Sequence, residues 1–392
     1  MSTKTFNIES RLLAGKLEAP NYGTAQTLEN SDIDVRVRDL NLSSLTVEYD
    51  DESSKFATGD HTRDEAIAGI TTGTMDFYIK LAPGEYEKPN DPLTDPITVY
   101  SFNAGKYFQG AGLVEKVIAP TAPGELPKWV FTPSTAGDLQ TLSMAIVDKE
   151  SVSNPYGIEY KIAGAMSTLT IDVEGAGKPY KANFSYTGKV DGVYELHAGN
   201  TAGDFGNGAI PVFNDQTINN SIADKMLSTI ITIDALNHDG TPVDPTGTSA
   251  KHLCVNTFSL DTGLTLAQVK CQEDAAGILY TTVTSRDPKI SINPLLERVG
   301  DGSSTVSADW LDFWKMVNSE STFHVNIKGN HMEIDIPRGQ FTSPNITDDE
   351  GFLRNELSLR CLRNIAFASN GYDSAEQDYR ITFDGVDKQT GL

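Results

Sequence analysis

From residue 160 to residue 189 the chain reads YKIAGAMSTLTIDVEGAGKPYKANFSYTGK, and it alternates twice. Leu169, Ile171 and Val173 alternate with Thr168, Thr170 and Asp172. After a break, Tyr180, Ala182, Phe184 and Tyr186 alternate with Lys181, Asn183, Ser185 and Thr187. A two-residue period puts successive side chains on opposite faces of a strand, so each arm has one apolar and one wet face. The intervening Gly175-Ala176-Gly177-Lys178-Pro179 supplies glycines for the positive φ of a reversal and a proline that cannot continue a central ladder. The stretch predicts a long antiparallel hairpin whose continuous polar face needs a neighbour.

Strand patterns dominate elsewhere too. Ile33, Val35 and Val37, then Leu40, Leu42, Leu45 and Val47, predict one or two strands; Met75, Phe77, Ile79 and Leu81 predict another. Residues 129–131, 142–147, 227–236, 253–266, 278–292, 323–336 and 379–383 read the same way. Residues 50–68 are charged and poor in large apolar side chains, and 83–96 are broken by Pro83, Pro89, Pro92 and Pro96; both predict loops. Residues 100–117 predict a short helix weakened by Gly105, Gly110 and Gly112. A clearer helix follows Ser307, where Trp310, Phe313, Trp314 and Val317 share one face and Asp309 and Asp312 favour the N-terminal end. These aromatics are expected to pack into a core.

At 392 residues the chain is long enough for two domains, each with its own core. The order strand, strand, helix, strand, loop, strand recurs: 255–266 corresponds to 35–47, 278–292 to 73–81, and the Trp310 helix to the 100–117 helix. The expected organisation is an N-terminal arm (1–30), a first β-sandwich (31–190), a linker (191–226) and a second β-sandwich (227–392), each sandwich with a flanking helix.

Composition narrows the function. Fifty-four acidic residues against 31 basic give a formal charge of −23, which repels phosphate backbones and argues against retention of nucleic acid, although not against a surface past which nucleic acid slides. Cys254, Cys271 and Cys361 are odd in number and lack metal or disulfide spacing. The first twenty residues lack a secretory apolar run and no stretch has the length of a membrane span, so a soluble, intracellularly made protein is expected. The six histidines are scattered without zinc-site spacing, and no Gly-x-Ser-x-Gly elbow occurs. Gly175-Ala176-Gly177-Lys178 has Pro179 where a phosphate loop needs Ser or Thr. Asp50-Asp51-Glu52 and Asp348-Asp349-Glu350 lack calcium-loop spacing and read as solvated loop tips rather than Ca²⁺ sites. No catalytic residue, metal or cofactor is expected.

The run 129–189, with PKWVFTPS, LQTLSMAIVDKE and the Gly164 to Ile171 element followed by Gly-Lys-Pro and an aromatic strand ending in Thr-Gly, resembles the first half of the long tail-tube proteins of tailed bacteriophages. HLCVNTFSLDTG, TTVTSRDPKISINPLL, DWLDFWKMVNSESTFHVNI and the closing YRITFDG are similar to their second half. The resemblance implies a structural virion protein of the tail, made in the host cytoplasm. Tail-tube β-sandwiches join strands between subunits into a closed barrel, and their rings stack into a conduit for DNA. Three duplicated chains would make a pseudo-hexameric ring, touching other tail proteins, double-stranded DNA in passage and no membrane. On that basis Thr168, Thr170, Asp172, Glu174, Glu333 and Asp335 are expected to face the lumen, with Lys181 as a basic exception. The loop carrying Asp51, Glu52, Lys55, Asp60 and Arg63 is expected to contact the neighbouring ring. The competing reading is a β-sandwich adhesin or carbohydrate-binding surface protein, which would expose its aromatics in a groove.

Overall fold

In the computed structural model the described residues are 10–20, 22–34, 37–50, 67–87, 98–99, 102, 104–120, 125–135, 137–149, 156–197, 202–205, 225–226, 229–237, 239–241, 251–295, 322–349, 351–364 and 377–387. Strands make up 68% of them and helix 4%, so the fold is mainly β, as the alternating pattern predicts.

The hairpin forms. Its arms are β10 (Gly157–Val173) and β11 (Lys181–Leu196), with Leu169 opposite Phe184 and Ile171 opposite Ala182. Lys178 N–H donates to the Gly175 carbonyl at 3.1 Å, and Gly177 takes φ +76°, which closes the reversal. Before it come β1 (Ser10–Leu17), β2 (Ile33–Asp34), β3 (Val37–Asp50), β4 (Ile67–Lys80), β5 (Gly84–Glu87), β6 (Thr98–Val99), the helix α1 (Gly105–Gly110), β7 (Leu113–Ile118), β8 (Lys128–Pro133) and β9 (Leu142–Lys149). After it come β12 (Ile230–Leu236), β13 (Lys251–Leu253), β14 (Val255–Asp261), β15 (Leu264–Lys270), β16 (Ile278–Arg286), β17 (Lys289–Pro294), β18 (Thr322–Lys328), β19 (Met332–Asp349), β20 (Phe352–Leu362) and β21 (Arg380–Asp387).

Pairing follows one pattern twice. The earlier strands run β2-β1-β9-β10-β11-β4-β3, every neighbour antiparallel. The later strands run β13-β12-β18-β19-β20-β17-β14, again all antiparallel. In both rows the strand at one end and the strand at the other are consecutive in sequence, so the row curls round its apolar side. The rows meet where the end of β10 pairs with β14; β21 joins β19 of the second row to β8, which pairs with β7 outside both rows. Among the described residues the pairings branch but do not close into a barrel within one chain.

One apolar core runs from Leu13 to Phe383 and takes side chains from both rows. Its aromatic centre joins Phe77, Tyr107, Phe184 and Tyr186 to Phe102, Phe108, Phe131 and Phe383; the Phe102 and Phe383 rings stack at 4.4 Å. Each such pair adds about 0.5–1.5 kcal/mol beyond burial. α1 contributes Tyr107 and Phe108, both fully buried, and the Tyr107 carbonyl accepts a hydrogen bond from Tyr186 Oη at 2.6 Å. A smaller core of Leu12, Ala14, Leu28, Ala145, Val147, Leu196 and Phe205 covers the other face of β1 and β9, which is why every side chain of β9 is buried.

Several local expectations shift. The 100–117 helix is only α1, because Gly112 turns at φ +71° and the β-branched Val114, Val117 and Ile118 then pair with β8. The N-terminal arm is not peripheral: β1 pairs with β9 along its whole length. Residues 84–87, expected as loop, form β5 parallel to β21. Residues 278–292 form two strands, separated at the Asp287-Pro288 corner, where Asp287 N–H donates to the Gly263 carbonyl at 3.0 Å and β15 and β16 turn out of the main sheet. Residues 343–349, whose Asp348-Asp349 end is expected as a solvated loop tip, extend β19 against β20. β11 continues to Leu196, into the stretch expected to be linker.

A buried carboxylate fastens β1 to this framework. Glu18 is fully buried and accepts four hydrogen bonds, from Gly23 N–H (2.7 Å), Thr141 Oγ1 (2.7 Å), Ser143 Oγ (2.6 Å) and Gly164 N–H (2.8 Å). Gly164 sits at φ +58° in the β10 bulge, and a Cβ there would lie 2.8 Å from Tyr280 Cα of β16. Glu18→Ala would leave four buried donors unpaired, so it is expected to lower stability by about 3 kcal/mol or more. Denaturant unfolding checks this, and a loss under about 1 kcal/mol would contradict it.

Candidate functional site

The wet face of the hairpin continues across neighbouring strands. Thr168, Thr170 and Asp172 on β10 sit opposite Ser185, Asn183 and Lys181 on β11, which in turn sit opposite Asp76, Tyr78 and Lys80 on β4. On the other side of β10, Thr170 and Asp172 meet Asp261 and Ser259 of β14; these meet Lys289 and Ser291 of β17, and these meet Arg360 and Ser358 of β20. This is a six-strand band of hydroxyls and charges from β4 to β20, with the apolar core beneath it. It exists because strand alternation is kept in register across every ladder; a one-residue slip in any strand would put its apolar set on this face.

Charge on the band is mixed: Lys181, Lys289 and Arg360 have carboxylate partners, while Asp172 Oδ1 is buried without a hydrogen-bond partner among the described residues. Lys181 Nζ pairs with Glu174 Oε1 at 2.5 Å and lies 5.2 Å from the centre of the Tyr78 ring. Ser185 Oγ donates to Asp76 Oδ1 at 2.6 Å. Asp287 at the β16–β17 corner receives Arg360 Nε at 2.5 Å and Lys289 Nζ at 3.2 Å. The Lys181 hydrogen bond holds the Glu174 carboxyl below its ordinary range, and Arg360 does the same for Asp287. Burial pushes the Asp172 carboxyl up, against the pull of Asn183 and Lys181.

The structure places the expected lumen residues in two sets. Thr168, Thr170 and Asp172 lie half-buried on the band, and exposed Glu174 follows them at the turn. Glu333 and Asp335 belong to β19, several strands away. Asp335 is only 2% exposed: His324 Nε2 lies 2.6 Å and Asn326 Nδ2 3.3 Å from its Oδ1, and Arg380 Nη2 lies 3.8 Å from its Oδ2. Glu333 Oε1 accepts from the same Asn326 Nδ2 at 2.7 Å. Asp335 therefore ties β18, β19 and β21 together within the chain. Asp51, Glu52, Lys55, Asp60 and Arg63, and Trp310, Phe313, Trp314 and Val317, lie outside the described residues.

Sequence reasoning missed the β15–β16 hairpin, whose two strands among the described residues pair with each other alone, and which lies across β10 and β11. It is held by Lys189 Nζ to Asp274 Oδ2 at 2.6 Å, by Thr71 N–H to the Ala276 carbonyl at 3.2 Å, and by Arg286 Nη2 to the Gly112 carbonyl at 3.0 Å. Gly263, at φ +60°, and Pro288 were its sequence signal.

Among the described residues no three or more His, Cys, Asp or Glu side chains are grouped to hold a metal ion, and no helix is long and apolar enough to cross a membrane. No protein-family model matches the chain, and no curated protein matches it.

The Asp172 shift has a definite sign. Its folded-state affinity for the proton exceeds the unfolded one, so the carboxylate weakens the fold at neutral pH, and the deficit fades as pH falls through the folded value toward the unfolded value of about 3.9. Asp172→Asn is therefore expected to raise the Tm at pH 7 by about 1–2 °C, small because solvent screens a half-exposed group. The gain should vanish near pH 3 in a thermal-melt series; a Tm lowered at pH 7 would contradict the assignment.

Proposed function

We propose that this chain is a self-assembling structural protein built from two tandem β-sandwich units, whose copies form rings round an axial passage. On this reading it is a tail-tube protein of a tailed bacteriophage virion, its rings stack into the conduit for DNA, and its partners are copies of itself and other tail proteins. The observation that carries the reading is the twice-repeated seven-strand order, all antiparallel, with one row joined to the other edge to edge. Such a unit presents the same donor and acceptor edges at each repeat, which suits cyclic assembly, and a closed ring leaves no edge strand open to uncontrolled pairing. Three two-unit chains give six units round the axis.

The polar band supports the second half of the reading, a wall that DNA passes without adhering. Affinity for a phosphate backbone comes from cations that replace its counterions. Lys181, Lys289 and Arg360 already have carboxylate partners from this chain, and binding phosphate would require breaking those pairs. Hydroxyls of Thr168, Thr170, Ser185, Ser259, Ser291 and Ser358 offer water-like contacts without a stacking surface. The wall is thus made non-adhesive by neutralised cations and hydroxyls more than by uniform negative charge.

Two outcomes check this. In the double variant Glu174→Gln/Asp287→Asn the cations lose their partners, and assembled protein should retain double-stranded DNA at low salt, with retention lost as salt rises; equal retention by variant and parent in a filter-binding titration would contradict the wall. Deleting residues 51–63 should leave folded rings that no longer stack into tubes in negative-stain images. Tubes of normal length from the deleted chain would refute the assignment of that loop to ring stacking.

A further inference from the structure

We propose that copies of this chain join head to tail through strand pairing between residues 345–347 of β19 and residues 41–44 of β3 in the next copy. The inference uses the two-unit organisation proposed above and is independent of any passage of DNA.

Within the chain the junction already exists once. Thr170, Ile171, Asp172 and Val173 of β10 pair with Asp261, Leu260, Ser259 and Phe258 of β14. That ladder covers the apolar side of the hairpin tip: Ile171 and Tyr180 are 0% exposed. The Tyr180 ring lies 5.8 Å from Phe258, and its hydroxyl lies 2.6 Å from Thr229 Oγ1.

The second row has the same tip without its cover. Phe184 lies between Leu169 and Phe77 as Leu357 lies between Pro344 and Ile292, so Ile171 corresponds to Ile346 and Tyr180 to Leu353. β18 stops opposite Gln340, and among the described residues β19 beyond that point is paired with β20 alone. Ile346 is 41% and Leu353 52% exposed where their counterparts are fully buried. The Ile346 N–H donates to Asn345 Oδ1 of its own chain at 3.0 Å, a contact that an added strand displaces; a strand edge beside uncovered apolar side chains is a site for such a strand.

The complementary edge lies at the start of the first row. Leu42 pairs with Met75 and Asn41 with Asp76, as Leu260 pairs with Ile290 and Ser259 with Ser291, so β3 is the counterpart of β14. Among the described residues β3 has β4 as its one paired strand. The Leu40 carbonyl is engaged by Arg11 Nη1 at 3.3 Å, so the intermolecular ladder starts at Asn41 and Leu42. Superposing the two junctions sets Ile346 opposite Leu42, Thr347 opposite Asn41 and Asn345 opposite Ser44. The contact uses different surfaces on the two copies, so the same operation repeats until it closes a ring or extends a filament.

The test is a mixture of two variants in a Cys254→Ser/Cys271→Ser background, one carrying Asn41→Cys and the other Thr347→Cys. Facing positions in an antiparallel pair bring the Cα atoms within disulfide range. Mild oxidation should give a disulfide-linked dimer from the mixture and none from either variant alone. Adding Ile346→Asp to the Thr347→Cys chain should abolish the dimer while leaving its melting temperature unchanged, because Ile346 is exposed in the single chain. A mixture that stays monomeric, or a dimer indifferent to Ile346→Asp, overturns the junction. Hollow tubes without the cross-link would overturn this junction and leave the tube reading standing; cross-linked chains that never enclose an opening would uphold the junction and overturn the tube.

Discussion

A four-residue ladder between residues 170–173 and residues 258–261 sets the geometry on which the rest of the molecule depends. β10 is bordered by β9 along its first half and by β14 at its end, with β11 on its other side throughout. That exchange of neighbours lets a strand of the first seven-strand row carry the end strand of the second. It buries Ile171, Val173 and Tyr180 against Phe258 and Leu260, and it continues the polar band from β10 into β14 without interruption. At roughly 25 cal/mol per Å² of apolar surface removed from water, burying these large side chains outweighs the modest net value of the ladder's backbone hydrogen bonds. The ladder's main contribution is register.

The electrostatics follow from that register. The formal charge of −23 describes the whole chain, yet the band sets Asp172 opposite Lys181 and Asp261 opposite Lys289, while Lys80 also faces Lys181 and Arg360 also faces Lys289. Cross-strand neighbours of opposite sign stabilise a sheet modestly and like charges oppose it. The like-charged pairs are offset by carboxylates at the ends of the ladders, Glu174 at Lys181 and Asp287 between Lys289 and Arg360. The same arrangement leaves few cations available to an external polyanion, which connects sheet stability to a non-adhesive surface.

Much of the fold was legible because strand periodicity is local. The hairpin, with Gly177 at its turn and Tyr180 to Tyr186 on one face, could be read directly, and so could β4, β9 and β12. The parallel order of the two halves was visible as a sequence of patterns, although the pairings had to come from three dimensions. What was hidden depended on distant partners. β1 has only Leu12, Leu13 and Leu17 to advertise it, yet Glu18 finds Thr141, Ser143 and Gly164 far along the chain. Residues 343–349 carry turn-forming side chains and are held extended by β20. Asp335 has the alternation of a wet-face residue but is enclosed by His324, Asn326 and Arg380, which no spacing reveals.

The central claim is that two equivalent units per chain join edge to edge round an axis. Cryo-electron microscopy of the assembled protein in end-on view tests it most directly, through the rotational symmetry of the averaged particle. The account predicts an open centre with threefold symmetry and a strong sixfold component, six similar β-units forming one continuous wall. A compact particle without an axial opening, or a ring whose units do not alternate between the two rows, would contradict it.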